Sequence, residues 1–420
     1  MGPITLFDKS FLQSLSVDES VWFDCFFLPN ICPMFYVETL ADLGKTKSSR
    51  GTPEAEVARI ADKFPEMGGK PCIHHQQLCV GNLMGHSLPL TGRIPVAGGK
   101  PVKSGEGVGY IYDQSPEAEA FSRWSNHEFL DVERKFASVW RSSLENLDLK
   151  SMAEAFSALG ITGQNCRSLE DARNIANSII NSSAKPYDQI KLAAVFLEIP
   201  QHLVPEIIRN WQISGFQPLS RYAPYAAYVL EVEIFFQIAL AASLISTERA
   251  SNRMDISYLY YLPFCSLFVS GDKLHKKTVP LFARKNQEFV WGPSLKKSLN
   301  EIDGYYASLP EEIKERGIMS FAGTPPQDFD TLVANLWDRH ANTNWRKRSA
   351  VLPAREKTGG DAKLLDKVHS MTRAPSLSSE ELASLPTEPE SVSFKYKIRK
   401  RKGSWYQLDK NMEILESDFE

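Results

Sequence analysis

The chain alternates short, strongly apolar runs with stretches of three-and-four spacing, the pattern of strands interleaved with helices. Ile4-Thr-Leu-Phe7 predicts a buried strand that stops at the polar turn Asp8-Lys9-Ser10, and Phe11, Leu12 and Leu15 predict a helix from that turn onward. Val21, Trp22, Cys25 and Phe26 predict a second helix over about 18–28. Met34–Val37 reads as a second strand running into a helix that opens near Glu38. Much later, Asp255–Leu262 predicts a short helix, Cys265–Val269 a strand and Lys273–Lys285 a helix, with Glu288-Phe-Val-Trp-Gly292 as one more strand. Strands that alternate with helices predict an α/β fold with a parallel sheet flanked by helices. Ligands of such sheets collect at the carboxyl ends of the strands.

Between the two halves of this pattern the spacing changes. Residues 45–115 are rich in Gly, Pro, Lys and Ser and predict a long elaborated loop with a helix near 53–64. Residues 116–215 carry several amphipathic helical patterns. Tyr225–Ser246 is the most apolar stretch; Glu231, Glu233 and Gln237 interrupt it, so it predicts a buried core helix and not a membrane span. The expected organisation is a split core over 1–45 and 225–290, interrupted by a loop-rich, then mainly helical insertion over 46–224. A helical C-terminal region (291–350), a Ser-, Pro-, Glu- and Lys-rich linker (351–392) and a basic tail (393–420) follow.

Composition narrows the function. With 420 residues and a formal net charge of -3, the molecule as a whole does not attract nucleic acid, so any such binding rests on local patches. Six scattered cysteines fit a reducing compartment better than a disulfide framework. The start, MGPITLFDKSFL, lacks a basic segment followed by a long apolar one, which leaves a cytoplasmic protein as the expectation.

Acids stand at the strand ends. Asp8 closes the first strand, Glu38 the second and Asp272 the third, and Asp255 opens the short helix that leads into that third strand. Carboxylates converging on one rim repel one another. A divalent cation removes that cost, and hard oxygen donors suit Mg²⁺ or Mn²⁺. Hydrolysis of a phosphodiester is the reaction such a site serves. Ser10, Ser270 and Asp42 are supporting candidates. Each acid also has a plain structural reading: Asp8, Asp255 and Asp272 as helix caps, and Glu38 as a solvated helix residue.

In order and spacing, Asp8-Lys9-Ser10, Glu38, Asp255 and Ser270-Gly271-Asp272 resemble the motifs of the PIN-domain nucleases. The resemblance covers about a quarter of the chain, roughly 4–45 and 225–290. It implies a PIN-like core and a Mg²⁺- or Mn²⁺-dependent nuclease, most often an endoribonuclease. In that family Asp8, Glu38, Asp255 and Asp272 would be both the catalytic and the metal-binding residues. It also implies a bacterial toxin, RNA-processing or defence role, with a protein inhibitor or a homo-oligomer left open. A DNA nuclease differs only in substrate. The alternative of another class is a non-catalytic PIN-like scaffold, or a nucleic-acid-binding interaction protein, that uses the same acids as caps. Family members are usually small, and this chain departs from them in its insertion and its C-terminal region.

Other features add little. Cys72, His74, His75 and Cys79 are zinc-ligand types without a standard zinc spacing. The Gly-rich stretch 81–109 does not match a phosphate loop. Basic residues are the second informative class: Lys273, Lys276 and Lys277 follow Asp272, and Lys395, Lys397, Arg399 and Arg401 lie in a tail with Trp405 and Tyr406. Basic residues interleaved with aromatics suit phosphates and stacked bases, and a solvated tail is the plain reading.

Overall fold

The computed structural model describes residues 2–45, 51–104, 107–158, 160–181, 186–341, 344–347, 375, 377, 381 and 391–412. The strands among the described residues are β1 (Ile4–Phe7), β2 (Leu28–Ile31), β3 (Lys70–Pro71), β4 (Gly99–Ser104), β5 (Gly107–Tyr112), β6 (Leu267–Ser270), β7 (Glu288–Trp291), β8 (Ser391–Phe394), β9 (Arg401–Lys402) and β10 (Trp405–Tyr406). The fold is α/β. Five strands form a parallel sheet in the order β3-β2-β1-β6-β7, flanked by helices. Thr5 of β1 lies opposite Pro29 of β2 and Leu267 of β6.

β1 and β6 are buried along most or all of their length, as expected of strands covered on both faces. From β1 the chain crosses to β2 on one side, and from β6 it crosses to β7 on the other. The strand order therefore reverses between β1 and β6, which sets a crevice at their carboxyl ends.

Three expectations need correction. First, Met34–Val37 is not a strand. The second strand is Leu28–Ile31, and Pro33 opens the helix Pro33–Leu40, its fixed φ and missing N–H suiting the first helical turn. Second, the sheet is not confined to 1–45 and 225–290, because β3 lies inside the span expected to be an insertion. Third, residues 45–115 hold more than one regular element: the helices Pro53–Ala61 and His75–Leu83, β3, and the antiparallel pair β4–β5, against which β8 runs parallel.

Helix Pro224–Ala241 is long and apolar enough to cross a membrane by composition, and it is almost wholly enclosed here. The helices of residues 149–181 pack on it. The expected linker, 351–392, lies outside the described residues apart from 375, 377, 381, 391 and 392.

The basic tail is part of the core. Trp405 packs edge-on against Trp22 at 4.7 Å, and Trp22 stacks on Tyr306 at 4.6 Å. Asp303 Oδ1 accepts the indole N–H of both Trp22 (2.8 Å) and Trp405 (2.7 Å). At the β9–β10 turn Gly403 has φ 57, and a Cβ there would stand 2.0 Å from Asp18 Oδ1. Only glycine allows that approach.

Candidate active site

Asp8 and Ser270 face each other across the β1–β6 crevice. Asp8 caps the helix Lys9–Ser14, its Oδ1 accepting the Phe11 N–H at 2.9 Å. Its Oδ2 accepts the hydroxyls of Ser10 and Ser270, both at 2.7 Å. The cap expected of an Asp after a strand is present, and the same side chain sits on the rim of the crevice.

Beneath them lies His275, with no exposed surface. Ser270 gives its hydrogen to Asp8, so at 2.8 Å it accepts from His275 Nδ1. His275 Nε2 meets the backbone carbonyl of Asp255 at 2.6 Å. Both ring nitrogens therefore donate, which makes the ring an imidazolium. Burial opposes that charge, but Asp8, 3.5 Å away, and Asp255 outweigh it and push His275 up to about 9. Burial likewise opposes the charge on Asp8, but His275, Ser270 and Ser10 hold its carboxyl below the usual range.

On the β2 side, helix Pro33–Leu40 carries Glu38 in its second turn. Lys9 Nζ lies 3.4 Å from Glu38 Oε1 and 3.1 Å from Asp42, and Asp42 also pairs with Lys45 at 3.0 Å. Burial disfavours the Lys9 charge, yet Glu38 and Asp42 hold its pKa above the ordinary value. Tyr258 donates its hydroxyl to Glu38 Oε2 at 2.6 Å. Asp42 lies in the 3₁₀ turn Ala41–Gly44, past the end of the helix on which the sequence placed it.

Asp272 caps the helix Lys273–Phe282 through the Leu274 N–H at 2.5 Å, and its own N–H bonds Ser270 at 2.9 Å. Asp255 does not open its helix; Ala250 is the cap and Asp255 lies inside Ser251–Ser257. Its carboxyl is pushed up to about 7, first by burial and then by Glu38, Asp272 and Asp8, against the pull of His275. Glu38, Asp272 and Asp8 thus all act on Asp255, the acid of the four whose ionisation is resisted. Lys9, Tyr258 and His275 are the members sequence reasoning missed.

As the side chains stand, no three His, Cys, Asp or Glu among the described residues are gathered closely enough to hold a metal ion. Asp8 spends both oxygens on protein donors, and Lys9 and His275 supply internal positive charge. The donor chemistry fits a hard divalent cation all the same. Every candidate ligand is a carboxylate, and Asp255, raised first by burial and then by the neighbouring acids, would ionise more readily beside a cation.

The basic candidates divide. Lys273, Lys276 and Lys277 are exposed on the helix that Asp272 caps, with Lys276 over the Trp291 ring at 5.0 Å. The tail is not a free arm. Lys395 pairs with Asp113 at 3.0 Å, Arg399 pairs with Glu66 and Asp62 at 2.6 and 3.3 Å, Arg401 lies over Tyr406, and Lys397 is exposed. Glu66 is joined to Asp24 just ahead of β3, so Arg399 sits at the amino edge of the sheet, away from the acids. His74 and His75 open the helix His75–Leu83 and belong to no metal group among the described residues.

No family model, no curated protein and no solved structure matches the chain.

Proposed function

We propose that the chain is a PIN-like, Mg²⁺- or Mn²⁺-dependent nuclease, with RNA as its first candidate substrate. One observation carries the reading. Asp255 is pushed up to about 7, first by burial and then by acids from three elements, Glu38 on the helix after β2, Asp272 after β6 and Asp8 after β1. Structural caps have no need of such crowding. Asp255, Asp272 and Glu38 would hold the cation, with Asp8 at the floor. When bound, Mg²⁺ or Mn²⁺ supplies positive charge to a phosphodiester as negative charge builds on its oxygens. The chain's own residues do the positioning. Ser270 and Ser10 fix the orientation of Asp8, and His275 keeps it ionised. Tyr258 and Lys9 fix Glu38. Lys273, Lys276 and Lys277 offer charge to the flanking phosphates.

A second reading, a non-catalytic scaffold, draws on Lys9 and His275, which neutralise part of the cluster from within. Incubation of the purified chain and Mn²⁺ with labelled RNA, single-stranded DNA and duplex DNA separates the two. The nuclease reading expects cleavage that chelator and Asp272→Asn both abolish, and the preferred substrate names the class. Folded protein inert on all three substrates selects the scaffold.

A further inference from the structure

A cavity of about 530 Å³ adjoins the acid cluster. Small-ligand sites span roughly 300–1,000 Å³. Helix Pro33–Leu40 brings Met34 to its wall one turn before Glu38, and helix Ser251–Ser257 brings Met254 and Ser257 to it on either side of Asp255. His74, His75 and Trp140 also line it.

The wall is aromatic and rich in uncharged donors. Arg253 is already closed by Glu233 at 2.7 Å and by the Tyr260 hydroxyl at 2.8 Å, so that group brings no net charge. Burial, with help from His74 and Arg253, pushes His75 down to about 3, so its ring is neutral. The Tyr261 hydroxyl accepts the His75 backbone N–H at 3.1 Å and lies 3.2 Å from His75 Nδ1. The neutral His75 ring has one donor and one acceptor nitrogen. The Trp140 indole N–H is buried and has no partner among the described residues. A buried donor without an acceptor is costly, and a ligand that brings an acceptor relieves it.

We propose that this cavity is a nucleobase pocket, seating one unpaired base of a strand whose phosphate reaches the acid cluster. A base supplies what the wall lacks: ring nitrogens and carbonyl oxygens for Trp140 and His75, and a flat π-face for Tyr260. The phosphate end of the proposal rests on the nuclease reading, and base binding stands apart from it. A duplex must unstack a base to use the pocket, so single strands and loops are the favoured substrates.

The test follows the ¹⁵N-indole resonances of the full-length chain during titration with the four ribonucleoside 5′-monophosphates. Trp140→Phe identifies the Trp140 signal. Ribose 5-phosphate is the control. Saturable binding that shifts the Trp140 N–H, with about ten-fold weaker binding in Trp140→Leu, is the expected result. Binding by a chain that cleaves nothing would leave the pocket standing while the nuclease reading falls. No shift at millimolar nucleotide, or an equal shift with ribose 5-phosphate, overturns the pocket even if the chain cleaves RNA.

Discussion

His275 stands 3.5 Å from Asp8 as a fully enclosed counter-ion, tied to it through the Ser270 hydroxyl and anchored behind by the Asp255 carbonyl. The pair holds the ends of β1 and β6 together, and it makes the charge of the candidate site part of the stability of the fold.

Removing that cation leaves a buried carboxylate uncompensated. His275→Ala should cost about 3–5 kcal/mol of stability, measured by denaturant unfolding near pH 7. The pH dependence has a definite sign. His275 is raised from 6.5 to about 9, so its contribution is complete below pH 6.5 and is lost as pH rises through 9. Asp8 is lowered from 3.8, so its contribution is present above pH 3.8 and is lost as pH falls below that value. The wild type should lose stability at both ends of this window, and His275→Ala should show no loss from this group at the alkaline end.

Asp255 works the other way. Its carboxyl is raised from 3.8 to about 7, so folding resists its ionisation: the penalty begins above pH 3.8 and is complete above 7. Asp255→Asn should therefore stabilise the metal-free protein by about 1–3 kcal/mol at pH 8, and the gain should fade toward pH 4. Thermal unfolding across that range reads it directly.

The C-terminal tail should prove structural where it docks. Trp405→Ala removes a buried ring stacked into the Trp22–Tyr306 cluster and should cost about 3–5 kcal/mol. Arg399→Ala should leave the salt dependence of nucleic-acid binding unchanged. Lys276→Ala and Lys277→Ala should each reduce its slope by about one. Fluorescence anisotropy on a labelled oligonucleotide at several salt concentrations distinguishes these outcomes.

The helix–strand alternation was legible because β1 and β6 are buried, apolar and followed by a polar cap, a local pattern. β2 was misplaced because Pro29 removes a ladder donor and argues against a strand at that point, while the aromatic run after Pro33 looks strand-like. β3 spans only two residues and has no period to read. Asp8 and Asp272 could be named from their places beside strand ends, whereas Glu38 lies within the helix Pro33–Leu40 and Asp255 within Ser251–Ser257. His275, Lys9 and Tyr258 could not be named, because their roles come from partners distant in the chain, Glu38 for Tyr258 and Lys9, and Asp8 for His275. The tail looked like a free arm because a run of basic residues gives no sign of the acids, Glu66 and Asp62, that await it.

Glu38, Asp255 and Asp272, with Asp8 beneath them, are proposed to form one cation site. Calorimetric titration of Mn²⁺ into the wild type, Asp255→Asn and Asp272→Asn tests it most directly. Saturable binding by the wild type, weakened at least about ten-fold in both variants while each stays folded, is the predicted result. A folded wild type that takes up no Mn²⁺, or variants that bind it as the wild type does, would contradict the account.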